Sequence, residues 1–206
     1  MALAFQYRRE APADPVSRSR IALFPGAWNP PTVAHVDIAR AALSRVEEVV
    51  WLLPRAFPHK GFEGAGFEQR LDMLCRIAAA EPGFSVAVAD GGLYLEMAEE
   101  ARLYFGPHPE ISLLCGRDAA ERIAAWDYGR PGVFDELLES YPLMVASRAG
   151  EYLPHPRHCE RVIPLMVNRD EVSSTEIRAR IAAGQPWRYL VPDAILTLAD
   201  GIYSRL

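Results

Sequence analysis

The sequence is short of positive charge: 22 lysines and arginines face 27 aspartates and glutamates, for a net charge of −5. That balance argues against a nucleic-acid binder, which needs a broad basic surface. No apolar run approaches the ~18 residues of a membrane span, so no membrane partner is expected. Residues 1–20 contain arginines but neither a continuous apolar stretch nor a small-residue cleavage site, so they read as a partly ordered arm and not as a secretory signal. Cysteine is scarce too. Cys75, Cys115 and Cys159 are odd in number and scattered, and the first and second sit in apolar patterns. Reduced thiols in a cytoplasm are the simplest reading. Internal repeats and low-complexity tracts are also missing.

What remains is an ordinary globular composition. At 206 residues, half of them hydrophobic, the chain can bury one sizeable core, and a single domain over 21–206 is expected behind the arm. Apolar runs and helical patterns alternate. Strands are expected at 21–24, 49–53, 84–88, 111–115, 143–146 and 162–167. Helices are expected over 33–43, along a face marked by Phe67, Leu71, Leu74 and Ala78, and over 93–104, 174–183 and 193–198. Such alternation implies an α/β fold with an open parallel sheet and helices on both faces. Sites in these folds form beyond the carboxyl ends of the strands.

The stretch from Ile21 to Leu43 organises the rest. A compact apolar strand ends at Pro25-Gly26, and a loop with Asn29, Pro30 and Pro31 leads to Thr32, well placed as an N-cap. His35 then begins a face continued by Ile38, Ala39 and Ala42. Taken singly, Gly26 is turn chemistry, Thr32 a cap and His35 a core histidine. Their joint order is a strand, a glycine loop and a helix start with one titratable donor, which suits a phosphate.

Four later segments fall in strand-end loops or at helix starts. Pro58-His59-Lys60-Gly61 could supply mobile donors to a polyphosphate. Gly116-Arg117-Asp118 ends a strand with a glycine and an acid, a pair that lets a ribose approach and accepts from its hydroxyls, although Asp118 could equally cap the next helix. Ser147-Arg148 follows the fifth strand. Val172 to Arg178 opens a helix with Ser173-x-x-Glu176 in capping-box spacing, and Ser174, Thr175 and Arg178 add donors. Trp126 reads either as core packing or as a stacking surface. His155-x-x-His158-Cys159 has no recognised zinc spacing and lacks a fourth partner, so it reads as a surface loop and no metal site is expected.

The order Gly26, Trp28, Asn29, Pro30, Thr32, His35 resembles the first motif of the nucleotidylyltransferase superfamily, Gly-x-Phe-(Asp/Asn)-Pro-x-(His/Thr)-x-Gly-His, with Trp28 in place of phenylalanine and Ala34 in place of glycine. Pro58-His59-Lys60, Arg70-x-x-Met73-Leu74, Gly116-x-Asp118, Trp126, Ser147-Arg148 and Val172 to Arg178 are similar to motifs of the nicotinate and nicotinamide mononucleotide adenylyltransferases, in the same order. The resemblance spans roughly residues 20–200. It implies a Rossmann-like adenylyltransferase of NAD biosynthesis that joins ATP, with Mg²⁺, to a pyridine mononucleotide. Carried over by position, Gly26, Ala27, Trp28, Asn29, His35, Ser173, Ser174, Thr175 and Arg178 would hold ATP. Thr32, His35, Lys60 and Arg178 would act in transfer. Tyr94, Gly116, Asp118, Trp126 and Arg148 would hold the acceptor. Gly91 to Ala98 keeps only the glycine and Tyr94 of the family's pyridine segment. Another phosphorylated acceptor, CTP in place of ATP, or a silent nucleotide sensor are the competing readings. Self-association into a homo-oligomer is compatible with all of them.

Overall fold

The computed structural model describes residues 2–8, 20–56, 64–147, 152–167 and 172–204. Its centre is a sheet of seven strands: β1 (Ala4–Tyr7), β2 (Arg20–Pro25), β3 (Glu48–Pro54), β4 (Phe84–Ala89), β5 (Glu110–Gly116), β6 (Leu143–Ser147) and β7 (Val162–Met166). The spatial order is β1-β4-β3-β2-β5-β6-β7. All neighbours run parallel except β1, which pairs antiparallel with β4. The expected α/β class and parallel sheet are present.

The side chains of the inner strands sort by period two. Along β2 and β3, Ala22, Phe24, Val49, Trp51 and Leu53 enter one apolar cluster. Ile21, Leu23, Val50 and Leu52 enter the cluster on the opposite face. Both faces are buried, which is why these strands read as continuous apolar runs and not as alternation. Helices α1 (Val33–Ala42) and α2 (Phe67–Ala80) cover the first face, and α3 (Tyr94–Phe105), α4 (Arg117–Ala124) and α5 (Val133–Ser140) the second. Helices α6 (Ser174–Ala182) and α7 (Leu196–Tyr203) return to the first. The chain therefore builds outward from β2 in one direction through β3 and β4, then restarts at β5 on β2's other side. The crevice between the carboxyl ends of β2 and β5 is the topological switch point, where such folds bind ligands.

Several details differ from expectation. Helix α2 buries Arg70, Met73, Leu74, Ile77 and Ala78, with Phe67 and Leu71 only partly covered. Its buried face is rotated because Arg70 is drawn inward by a backbone carbonyl. The last helix begins as a 3₁₀ turn at Asp193–Ile195 and runs on to Tyr203. Helix α4 was foreseen only as the helix that Asp118 could cap, and α5 not at all; each has eight residues and too few turns to show a period.

The segment 1–20 contributes β1. Arg8 just beyond it reaches Glu48, buried at the start of β3, at 3.2 Å, and Ser85 Oγ donates to the same carboxylate at 2.5 Å. The Arg8 guanidinium also lies 5.0 Å from the Phe5 ring centre and 5.2 Å from that of Phe105, within cation–π range.

Candidate active site

The loop after β2 folds back on itself. Trp28 adopts a left-handed backbone (φ 54°), uncommon for a bulky residue and tolerated where surroundings over-determine it. Here its indole N–H donates to the Leu52 carbonyl at 2.8 Å, and its ring lies over Gly26. A Cβ at Gly26 would come within 2.6 Å of that ring, so only glycine fits beneath it.

The loop's main-chain carbonyls are held by side chains of two helices, α2 and α6. Ala27 O accepts from Arg70 Nη1 at 2.9 Å, Asn29 O from Arg178 Nη1 at 2.6 Å, and Pro30 O from Ser174 Oγ at 2.7 Å. The Asn29 side-chain oxygen accepts from the Ala65 amide at 3.2 Å and from the Tyr203 hydroxyl at 2.5 Å. Burial pushes the Tyr203 phenol up, with the nearby Arg178 and Arg70 guanidiniums acting the other way. Burial also pulls the Arg70 guanidinium down.

Thr32 caps α1 as expected, and it does so reciprocally with His35. The His35 amide donates to Thr32 Oγ1 at 3.2 Å, and the Thr32 amide donates to His35 Nδ1 at 3.0 Å. A ring nitrogen that accepts an amide hydrogen carries no proton in neutral imidazole, so Nε2 carries it. Trp28 meets the imidazole edge-on with ring centres 5.1 Å apart, which fixes the ring plane. Thr32 itself is fully buried, with Oγ1 2.9 Å from His35 Nδ1 and 3.5 Å from the Val172 carbonyl.

That last contact joins the starts of α1 and α6. Together with the Ser174–Pro30 bond and the Arg178–Asn29 bond, it brings two helix N-termini to the carboxyl end of β2. Each contributes roughly half a positive charge there. In α6, Ser173 Oγ accepts from the Glu176 amide at 3.0 Å, but the expected capping box is only half formed. The Glu176 carboxylate takes Arg180 Nε at 2.9 Å instead, because Arg180 lies one turn on along the same face. Thr175 is exposed and 3.4 Å from Arg178 Nη2.

Across the switch point, Gly116 ends β5 and is the N-cap residue of α4. Asp118 does not cap that helix. It sits in the first turn with its carboxylate 64% exposed, open to hydroxyl donors. Tyr94 opens α3 and packs against the second-face cluster. Burial raises its phenol well above the ordinary value, and Cys115, Arg122 and Tyr128 are near enough to modulate it. Trp126 is half-buried and lines a cavity of about 350 Å³ with Tyr128, Phe134, Tyr152 and His155. His158, expected in a surface loop, is buried in that wall and lies 2.5 Å from Asp135 on α5. Among the described residues no group of three or more His, Cys, Asp or Glu could hold a metal ion. Lys60 and Arg148 lie outside the described residues.

Three residues of the site's frame were not picked out in the sequence, and a fourth, Arg70, was marked only by the resemblance. Arg70 and Tyr203 act on the loop between β2 and α1 from distant helices. Glu100 accepts from the amides of Asp90 and Gly91, at 3.0 and 2.6 Å, and Glu96 from those of Gly92 and Leu93, both at 2.9 Å. Those two carboxylates shape the segment that departs from the family pattern. A Gly-Gly pair at a strand end, with Glu96 and Glu100 four and eight residues beyond Gly92, was the clue available for the two glutamates.

The chain is similar to known proteins. A family model described as cytidylyltransferase-like matches residues 23–180. A protein of Salinibacter ruber named probable nicotinate-nucleotide adenylyltransferase is 35% identical, covering 87% of this chain and 94% of its own. One of the same name from Anaeromyxobacter dehalogenans is 37% identical, covering 87% and 93%. Among solved structures, the nicotinic acid mononucleotide adenylyltransferase of Plasmodium falciparum complexed with NaAD superposes with a TM-score of 0.68. It shares 14% identity over 87% of this chain and 94% of that one, which supports the fold.

Proposed function

The chain belongs to the cytidylyltransferase-like family, within the branch of the nicotinate-nucleotide adenylyltransferases, and from that premise we propose how its residues carry out the reaction. The enzyme transfers the adenylyl group of ATP to nicotinate mononucleotide, in NAD biosynthesis. An oxygen of the acceptor's phosphate attacks the α-phosphorus of ATP. The new P–O bond forms as the bond from that phosphorus to the β-phosphate oxygen breaks, and pyrophosphate leaves with the electron pair. Little covalent help is needed; positioning and charge stabilisation carry the step.

The observation that carries this reading is the imidazole of His35, held as the Nε2–H tautomer where the N-termini of α1 and α6 meet. Nε2–H donates to the α-phosphate as charge builds on its oxygens. Thr32 serves through His35 and not as a second phosphate donor, since its hydroxyl is buried and engaged. Ser174, Thr175, Arg178 and Lys60 hold the β- and γ-phosphates. Asp118 accepts from the acceptor's ribose, and Trp126 offers its ring to the pyridine. The groups assembled around the loop are cations and neutral donors, a set that fits phosphate oxygens. Mg²⁺ accordingly belongs with the substrate as MgATP, where it neutralises the polyphosphate. The three free thiols suit a reducing, cytoplasmic setting.

The test is pyrophosphate release from MgATP with nicotinate mononucleotide, beside nicotinamide mononucleotide, other phosphorylated acceptors, and CTP. Release with ATP and nicotinate mononucleotide is expected to be fastest. Release only with another acceptor or with CTP would replace the substrate, and ATP binding with no release from any acceptor would make the chain a sensor.

A further inference from the structure

We infer that Tyr203, the last residue of α7, is a positioning residue for nucleotide binding, acting through Asn29 on the loop between β2 and α1. This rests on the reading of that loop as the ATP site.

Tyr203 is 1% exposed, and its hydroxyl donates to Asn29 Oδ1 at 2.5 Å across 174 positions of sequence. The same oxygen accepts from the Ala65 amide at 3.2 Å. Gly64 presses on this junction with φ +104°, and a Cβ there would stand 2.9 Å from Asn29 Oδ1 and 3.3 Å from Tyr203 Cε1. Asn29 is also held by its main chain, whose carbonyl accepts from Arg178. One asparagine thus ties together the phosphate loop, the return into α2 of the segment that carries Lys60, and the C-terminal helix.

A tyrosine ring can fill this space without a hydroxyl, since packing needs only its apolar surface. The hydroxyl adds direction. It fixes which way the Asn29 amide faces, and with it the course of the loop from Trp28 to Pro30. Small displacements of a phosphate-binding loop are costly to rate: misplacement by about 1 Å can lower it about 100-fold.

The experiment is Tyr203→Phe, with Tyr141→Phe as a control for removing the hydroxyl of another tyrosine packed in the core. Steady-state kinetics, MgATP affinity by calorimetry without acceptor, and melting temperature are measured on each. The expected result is an approximately tenfold fall in kcat/KM for MgATP, weaker MgATP binding, and an unchanged KM for the acceptor. Tyr141→Phe leaves all three as in wild type. Asn29→Ala alone and Asn29→Ala with Tyr203→Phe should be equally impaired, since a residue acting through Asn29 has nothing left to act on. Gly64→Ala, which crowds the same oxygen from the other side, should weaken MgATP in the same selective way. Wild-type MgATP affinity in Tyr203→Phe, or losses that multiply in the double variant, would overturn the assignment. Because calorimetry needs no acceptor, a wrong acceptor leaves this test intact.

Discussion

The Thr32 amide donates to Nδ1 of His35 while the His35 amide donates to the Thr32 hydroxyl, so α1 is capped by the same imidazole that is proposed to donate to the α-phosphate. The capping role and the chemical role of His35 use different ring atoms and can be separated by mutation. His35→Ala should lower kcat by about 100-fold or more, typical of losing one transition-state donor, and lower stability by about 1 kcal/mol through the lost cap. His35→Gln, a residue suited to the third position of a capping box, should recover the melting temperature without recovering the rate. Near-full activity in either variant would remove His35 from the mechanism.

Thr32 tests the same pair from the other side. Thr32→Ser keeps the hydroxyl and should resemble wild type. Thr32→Val keeps the shape and the amide bond to Nδ1 but loses the cap oxygen, which costs about 1 kcal/mol. Its kcat should fall by about tenfold through a less fixed ring while KM for MgATP holds. A large rise in that KM would mean that Thr32 touches ATP directly.

Lys60 is the sole lysine of the chain. Reductive methylation or acylation of amines therefore modifies one side chain plus the N-terminus. Acetylation should abolish most activity, MgATP should protect, and Lys60→Arg should resist inactivation by the reagent. Full activity after quantitative modification of Lys60 would exclude it from the phosphate site.

Arg8→Ala should act on stability alone. Glu48 would keep Ser85 but lose the Arg8 guanidinium in a buried setting, at a cost of about 1–3 kcal/mol. Each kcal/mol lowers the melting temperature by about 2–4 °C for a chain of this size. Kinetic constants should not move, since β1 lies at the far edge of the sheet from the switch point.

The alkaline side of the stability curve has a defined sign. Burial pushes the Cys115 thiol and the Tyr128 phenol up to about 12, against ordinary values of about 8.5 and 10. The unfolded chain ionises first, so the stabilisation is complete below about pH 8.5 and is lost as pH rises toward 12. Chemical denaturation at pH 8, 9 and 10 should show declining stability. Under native conditions exposed Cys159 should react with a thiol reagent first and buried Cys115 only on unfolding.

The inner sheet and the first strand-loop-helix were legible because their signals are local. Ile21 to Phe24, the Gly26 turn and the Thr32 cap each follow from neighbours in sequence, and buried parallel strands announce themselves as apolar runs. Strand β1 was hidden because its four residues alternate half-buried and exposed and its partner β4 lies about eighty residues away. The site divided the same way. Gly26, Asn29, Thr32, His35, Ser174 and Arg178 could be picked out by type and order. Arg70 was marked by the resemblance, but nothing local says that an arginine on an amphipathic helix will turn inward, and nothing marked Tyr203 as a partner of Asn29.

The 174-residue span between Asn29 and Tyr203 also sets when the pocket can exist during synthesis. The loop is translated early, but the donors that hold its carbonyls arrive with α2, α6 and finally α7. A ribosome adding about 5–20 residues per second produces the loop roughly ten to thirty seconds before its last brace. Until then the chain is a partial sheet with an unbraced loop, and products of premature termination would lack the helix that completes it. On the proposed reading of the loop as the ATP site, nucleotide binding waits until α7 has been made.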